Sequence, residues 1–332
     1  MKRFDCPFCS NPSAISIENQ FFCFSCGMGG DRVAYLRAQK KISYREAAKR
    51  LDVTLIPEES KEDKREEIFQ ALAEAENFFF SSSALCKFSY FKKRKLEEET
   101  VENFRLGYSD RGKRLYKFLL KKGIKEEAME SAGLICTNPE TGEIYDKFWK
   151  RIMFPIRDEN GRTIGFGGRV LGDEKPKYLN SPESIVFDKS HNLYAMDLAK
   201  ESDEDYFLLA EGYIDVISLH QNGFKNAVAS LGTSFTFGQA ELISKYKKSV
   251  YIVYDNDLPG QKAAEKAVSV LLKKGITVKV VSVAPYKDVD EMLVAEGPEA
   301  LKKQLKSAIS GNAFLTKDKT ASEIAALLFA NC

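Results

Sequence analysis

Three stretches end in acidic residues after an apolar run. SVYIVYDNDLPGQKAA delivers Asp255 and Asp257, EGYID after YFLLA delivers Glu211 and Asp215, and PYKDVDEML after TVKVVSVA delivers Asp288 and Asp290. Side chains two apart in an extended segment point the same way, which pairs Asp255 with Asp257 and Asp288 with Asp290. Two unit charges about 4 Å apart repel by roughly 4 kcal/mol at an effective dielectric near 20. Carboxylates gathered at one edge therefore need protons or a divalent cation. Carboxylates plus water are the donor set of Mg²⁺ or Mn²⁺. Glu211, Asp255, Asp257, Asp288 and Asp290 are the expected ligands, and Glu211, Asp255 and Asp257 the expected catalytic groups. Asp215 is the weaker candidate, because it sits a turn into the next helix. Asp-Asn-Asp before Pro-Gly is also good turn chemistry, and any one acid can cap a helix. Convergence of three strand ends favours metal and phosphate chemistry.

Cys6, Cys9, Cys23 and Cys26 follow the spacing C-x2-C-x13-C-x2-C. Two close pairs joined by a hairpin suit tetrahedral zinc with four thiolates and no open position. The metal is expected to be structural, since so small a unit needs a staple. Nearby aromatics, Phe8, Phe21, Phe22, Phe24 and Tyr35, could stack on single-stranded nucleic acid or simply form the ribbon's core.

The elements that must position these groups can be read around them. Strand-like runs YFLLA, NAVASL, SVYIVYD and TVKVVSVA alternate with helical stretches from 204 to 298, the pattern of a parallel sheet covered by helices. Ligands of such sheets lie beyond the carboxyl ends of the strands. The expected divisions are a zinc ribbon over 1–56, a linker grading into helix over 57–80, a mixed α/β segment with a basic groove over 81–203, the acidic parallel-sheet subdomain over 204–298, and a short helical tail over 299–332. The 332 residues carry 50 Lys+Arg against 48 Asp+Glu, so charge distribution says more than net charge. No apolar stretch is long enough to span a membrane. The opening MKRFDCPFCS lacks the apolar segment of a signal peptide, which makes a cytoplasmic protein the expectation.

Between 150 and 191, basic residues lie among glycines and aromatics in KRIMFPIRDENGRTIGFGGRVLGDEKPKYLNSPES. Arg and Lys there suit a triphosphate or a nucleic-acid backbone, or a solvated basic face.

EGYIDVISL, AVASLGTS, YDNDLPGQKAA and DVDEML resemble, in order, the Toprim motifs of bacterial DnaG-type DNA primases. RIMFPIRDENGRTIGFGGRVLG with PKYLNSPES is similar to that family's polymerase-domain signature, and the cysteine-rich start to its zinc ribbon. The resemblance covers nearly the whole chain. It implies an α/β fold: an N-terminal zinc ribbon, a mixed α/β primase subdomain and a Toprim parallel-sheet subdomain. It implies metal-dependent synthesis of short RNA primers from ribonucleoside triphosphates on single-stranded DNA, in a cytoplasmic, nucleoid-associated setting. By match, Arg151, Arg169, Lys177, Tyr178 and Asn180 line the nucleotide or template groove, and Asp215 aligns with the acid of the first motif. Two departures stand out. Cys9 occupies a position where the family commonly has His, and the segment after about 300 is shorter than the helical domain with which the family docks a replicative helicase. The resemblance leaves a replicative helicase as a possible partner, without the domain that usually docks it. A Toprim nuclease, or a zinc and Toprim recombination mediator acting as a DNA clamp, shares parts of this pattern but not the middle signature.

Substituting Cys23→Ser should drop bound zinc from about one equivalent to near none, measured by elemental analysis of the purified chain. Unchanged zinc content would refute the four-thiolate assignment.

Overall fold

The computed structural model describes residues 2–6, 12, 14–17, 20–25, 29–40, 47, 49–51, 58–83, 90–110, 112–232 and 234–317. Two compact units result, Met1–Lys64 and Arg65–Cys332.

In the first unit, β1 (Lys2–Phe4), β2 (Ala14–Ile17), β3 (Gln20–Cys23) and β4 (Gly29–Asp31) form an antiparallel sheet in that order. The helix Arg32–Lys40 follows directly, with Asp31 Oδ1 accepting from the Ala34 N–H at 2.8 Å as its cap. Cys6 and Cys23 are buried beside Ala14. Cys9 and Cys26 lie outside the described residues. The aromatics divide into two sets: Phe21 packs with Phe4 and Tyr35, whereas Phe22 and Phe24 stand exposed, edge to face at 5.3 Å.

The charged stretch expected to begin as a linker is helical from Glu58 to Ser81. Glu, Lys and Arg are good helix formers. Later turns of the helix bury Ile68, Leu72, Ala75 and Phe79. Its Glu76 is a buried hub, with Oε1 accepting from Arg105 Nε at 2.5 Å and Arg157 at 2.9 Å, and Oε2 accepting from the Thr163 hydroxyl. Those partners bind the helix to an antiparallel sheet ordered β10 (Tyr178–Asn180), β9 (Thr163–Val170), β8 (Arg151–Arg157), β5 (Gly107–Ser109). A hairpin of β6 (Ile135–Thr137) and β7 (Ile144–Asp146) lies in the segment between β5 and β8.

The third sheet runs β12 (Ala227–Ala229), β11 (Tyr206–Ala210), β13 (Ser249–Val253), β14 (Thr277–Val280), β15 (Ile309–Ser310). The first four strands are parallel, as the alternation of runs required, and the two-residue β15 pairs antiparallel at the edge. Phe207, Leu209, Val250 and Ile252 face the helices Phe237–Tyr246 and Leu258–Lys273. Leu208, Ala210 and Val253 face the other way, into a core shared with Phe154 and Ile156 of β8. Tyr213 stacks on Phe154 at 5.1 Å and 10°, and this joins the two sheets. It can approach only because residue 167 is glycine: a Cβ there would lie 2.5 Å from the tyrosine ring.

Of the helical tail expected over 299–332, the described part holds the helices Pro298–Lys306 and Gly311–Thr316, and residues 318–332 lie outside the described residues. Among the described residues no helix is long and apolar enough to cross a membrane.

His220 is buried in the shared core, its Nε2 donating to the Ala227 carbonyl at 2.9 Å and its ring edge-on to Phe104. Burial pushes its pKa down to about 4. A base depressed on folding stabilises the native state above its unfolded pKa, near 6.5, and loses that contribution as pH falls through the folded value. The loss is at most about 3 kcal/mol. Urea unfolding of the wild type should therefore weaken more between pH 6.5 and 4 than that of His220→Gln, and parallel curves would contradict it.

Candidate metal and nucleic-acid site

Strands β11, β13 and β14 are parallel and in register, Ala210 opposite Val253 and Ile252 opposite Val280. Their carboxyl ends therefore open on one edge. Each is followed by a helix that begins at that edge: Tyr213–Gln221, Leu258–Lys273 and Val289–Glu296.

Carboxylate oxygens of Asp215, Asp255 and Asp288 lie within 4.8 Å of one another. Each is held from behind. Asp215 Oδ2 accepts from the Gly212 N–H at 3.0 Å, and Asp288 Oδ1 from the Glu291 N–H at 2.8 Å. Lys287 Nζ stands 3.7 Å from Asp255 and 3.9 Å from Asp288. The Asn256 N–H donates to the Lys287 carbonyl at 2.7 Å and ties the two loops together. Gly260 permits the turn after Asp255, since a Cβ there would meet the Asp255 carbonyl oxygen at 2.3 Å.

The remaining acids stand around this trio. Asp257 caps the helix Leu258–Lys273 by accepting from the Gly260 N–H at 2.8 Å, and its side chain is exposed. Glu211 is exposed at the rim, accepts from the Asp255 N–H, and feels the charges of Asp255 and Asp257. Asp290 is buried and turned to Arg94, 2.7 Å away. Sequence reasoning ranked Asp215 below Glu211, yet Asp215 is in the compact trio. Its N3 position on the helix capped by Gly212 carries its carboxylate back to the Gly212 N–H, the N3 half of a capping box.

The electrostatics follow from the crowding. The Asp215 pKa lies well above the carboxylate range, through burial first and then through Asp288, Asp255 and Asp290. Burial also raises Asp255, with Lys287 opposing and Asp288 and Asp257 adding to the rise. Burial raises Asp290, and partial desolvation at the rim, then the charges of Asp255 and Asp257, raises Glu211. Three oxygens converging from rigid backbone mounts, with water completing the set, fit one hard divalent cation such as Mg²⁺ or Mn²⁺.

A polar face borders the acids. Arg169 donates to the Tyr90 hydroxyl, and its guanidinium lies over the Tyr90 ring at 4.8 Å and the Tyr178 ring at 5.7 Å. Tyr178 is 38% exposed and Lys177 is exposed beside it, so both present surface to a ligand. Asn180 is occupied within the protein, accepting from the Tyr213 hydroxyl and donating to the Leu231 carbonyl, both at 2.8 Å. Arg151 is buried and donates to the carbonyls of Gly168 and Pro176, each at 3.0 Å. It braces the loop before Lys177 and Tyr178 instead of offering an exposed cation. Nothing in sequence pointed Arg94 or Tyr90 to the site; Arg94 reaches Asp290 across 196 residues of chain, and Tyr90 meets Arg169 across 79.

Family models match three segments: a CHC2 zinc finger over 4–67, the N-terminal domain of the DNA primase catalytic core over 76–200, and a Toprim-like domain over 208–293. The DNA primase of Clostridium acetobutylicum is 37% identical over 323 residues, covering 92% of this chain and 54% of that protein. That of Aquifex aeolicus is 37% identical over 338 residues, covering 97% of this chain and 66% of that protein. The chain thus spans about half to two thirds of the length of these relatives. The crystal structure of the Aquifex aeolicus primase, with zinc-binding and RNA polymerase domains, gives a TM-score of 0.71 at 33% identity, covering 99% of this chain and 89% of that one. A DnaG primase catalytic domain bound to ssDNA gives 0.70 at 34%, covering 76% and 82%.

A cation that binds only the folded site stabilises it by about 2.7 kcal/mol at a hundredfold excess over its dissociation constant. Mg²⁺ or Mn²⁺ should therefore raise the melting temperature near pH 7.5 by several degrees. The rise should shrink in acid, where the raised carboxyls are protonated. Asp255→Asn should lose the metal-induced rise and melt no lower than the wild type without metal. A rise preserved in the variant would remove Asp255 from the site.

Proposed function

Because this chain belongs to the bacterial DnaG-type DNA primase family, we propose that it is a template-directed RNA primase. The reaction is attack of a ribonucleotide 3′-hydroxyl on the α-phosphate of an incoming ribonucleoside triphosphate, releasing pyrophosphate, on single-stranded DNA. The observation that carries this reading is the convergence of Asp215, Asp255 and Asp288 within 4.8 Å beside a face bearing Arg169 and Tyr178. A carboxylate trio alone would suit many metal sites. A trio bordered by cations and aromatics suits a polyanion with stackable bases.

Asp215, Asp255 and Asp288 would hold the divalent cation, with Asp257 and Glu211 at the rim and Asp290 behind. A bound Mg²⁺ or Mn²⁺ supplies Lewis-acid neutralisation of triphosphate charge. Glu211 stands at the exposed rim of the site, and its raised pKa suits it to accept the proton of the attacking hydroxyl. Lys177, Tyr178 and Arg169 would position the template and the nucleotide, and Arg151 and Asn180 would fix the backbone that presents them. The first unit would hold one structural zinc through its four cysteines and contact single-stranded DNA through its exposed Phe22 and Phe24.

With single-stranded DNA, ribonucleotides and Mg²⁺, the wild type should make short RNA. Asp255→Asn should cut the yield by about a hundredfold or more while circular dichroism stays unchanged, since loss of a metal-held charge costs several kcal/mol in the transition state. Degraded DNA would instead indicate a nuclease, and DNA that is only retained would indicate a clamp.

A further inference from the structure

Among the described residues two cations meet the acids, and they are held in opposite ways. Arg94 pairs with buried Asp290 at 2.7 Å, the length of a charge-assisted hydrogen bond. Lys287 Nζ stands 3.7 Å from Asp255 and 3.9 Å from Asp288, beyond hydrogen-bond length for either. Its side chain is 62% exposed, and among the described residues it forms ion pairs with these two carboxylates alone.

The backbone of residue 287 is fixed as firmly as its side chain is free. Its N–H donates to Glu291 Oε2 at 2.8 Å, and its carbonyl accepts from the Asn256 N–H at 2.7 Å. The next residue, Asp288, caps the helix Val289–Glu296 through the Glu291 N–H at 2.8 Å. The ammonium therefore swings on a flexible four-carbon stem from a mount that is tied to both carboxylates it faces. Asp255 and Asp288 belong to the trio whose oxygens lie within 4.8 Å of one another. Lys287 thus addresses the same carboxylates as a divalent cation would. A dication and an ammonium roughly 6 Å apart in water repel by about a tenfold change in affinity. Lys287 can relieve that repulsion by turning outward, where its charge suits a phosphate as a point contact.

We propose that Lys287 is a tethered counter-ion with two successive partners: it balances Asp255 and Asp288 in the metal-free protein, yields them to the divalent cation, and then contacts the triphosphate of the incoming ribonucleotide. The first step needs only the metal site, and the second rests on the primase reading given above.

Calorimetric titration of the zinc-loaded full chain with Mn²⁺, near pH 8, reads the first step. Lys287→Met removes the charge and keeps an apolar stem, so it should bind Mn²⁺ about three- to tenfold more tightly than the wild type. Lys287→Arg keeps the charge and should stay within about twofold. Primer synthesis at saturating Mg²⁺ reads the second step. The methionine variant should raise the KM for ribonucleoside triphosphates about fivefold with kcat within about twofold, and the arginine variant should recover most of that loss. A merely structural disturbance would loosen metal and nucleotide together, whereas tighter metal with weaker nucleotide marks a shared counter-ion. Mn²⁺ affinity unchanged or weaker in the methionine variant, or an unchanged KM, overturns the proposal. If the wild type makes no RNA, the primase reading falls and the triphosphate step with it, while the Mn²⁺ titration still decides the first step.

Discussion

Carboxylates held within 4.8 Å of one another repel, and the surrounding fold must hold them there. The parallel sheet does so by directing three helix N-termini at the acids, from Tyr213, Leu258 and Val289. Each helix start brings partial positive charge and backbone donors. The donors are used directly: Gly212, Gly260 and Glu291 N–H groups bind Asp215, Asp257 and Asp288. The acids are thus fixed by backbone, and their mutual repulsion is left for protons, Lys287 or a cation to relieve. A flexible loop carrying the same residues would splay them apart. The parallel strands prevent this, because their ends lie on one edge by topology.

Rigidity of the polar face comes from a different device. Glu76 sits between Arg105, Arg157 and Thr163, and Arg157 also faces Asp197 at 3.8 Å. Burying such a hub costs desolvation, and removing one partner would strand the others, at about 3–5 kcal/mol. The geometry it fixes is that of β8 and β9, which carry Arg151 and Arg169. Stacking of Phe154 on Tyr213 then couples those strands to the helix bearing Asp215. The acids and the face bearing Arg169 and Tyr178 are therefore mounted on one packed body rather than on two that could drift.

The sequence made part of this legible, and the reason differs from residue to residue. Asp255 and Asp288 could be found because apolar runs with period and length typical of buried strands end just before them. Asp215 was harder, since a residue one turn into a helix usually points away from the strand end, and only the cap geometry brings it back. Arg151 shows the limit of reading charge as surface: its sign was plain, but two backbone carbonyls and its burial make it a brace. Glu58–Ser81 shows the limit of reading polarity as linker, because its later turns supply the packing that holds its charged start helical. The two-residue β15 has no periodicity to detect at all.

Contacts distant in sequence were closed to such reading, and one of them determines what Asp290 can do. Arg94 takes Asp290 out of the trio by pairing with it at 2.7 Å. The same Arg94 lies 6.0 Å from the Tyr90 ring centroid, and Arg169 binds the Tyr90 hydroxyl from the other side. Asp290, Arg94, Tyr90, Arg169 and Tyr178 thus form a short chain of charge and π contacts from the acids to the neighbouring polar face. If Asp290 lacked Arg94, a fourth carboxylate, and a buried one, would add to the repulsion on Asp215, whose pKa already feels it. With Arg94 in place that charge is neutralised inside the protein, and its partner is seated on the aromatic that orients Arg169. One half-buried ion pair therefore serves both sides of the site, limiting the negative charge a cation must balance and holding the cationic face in position.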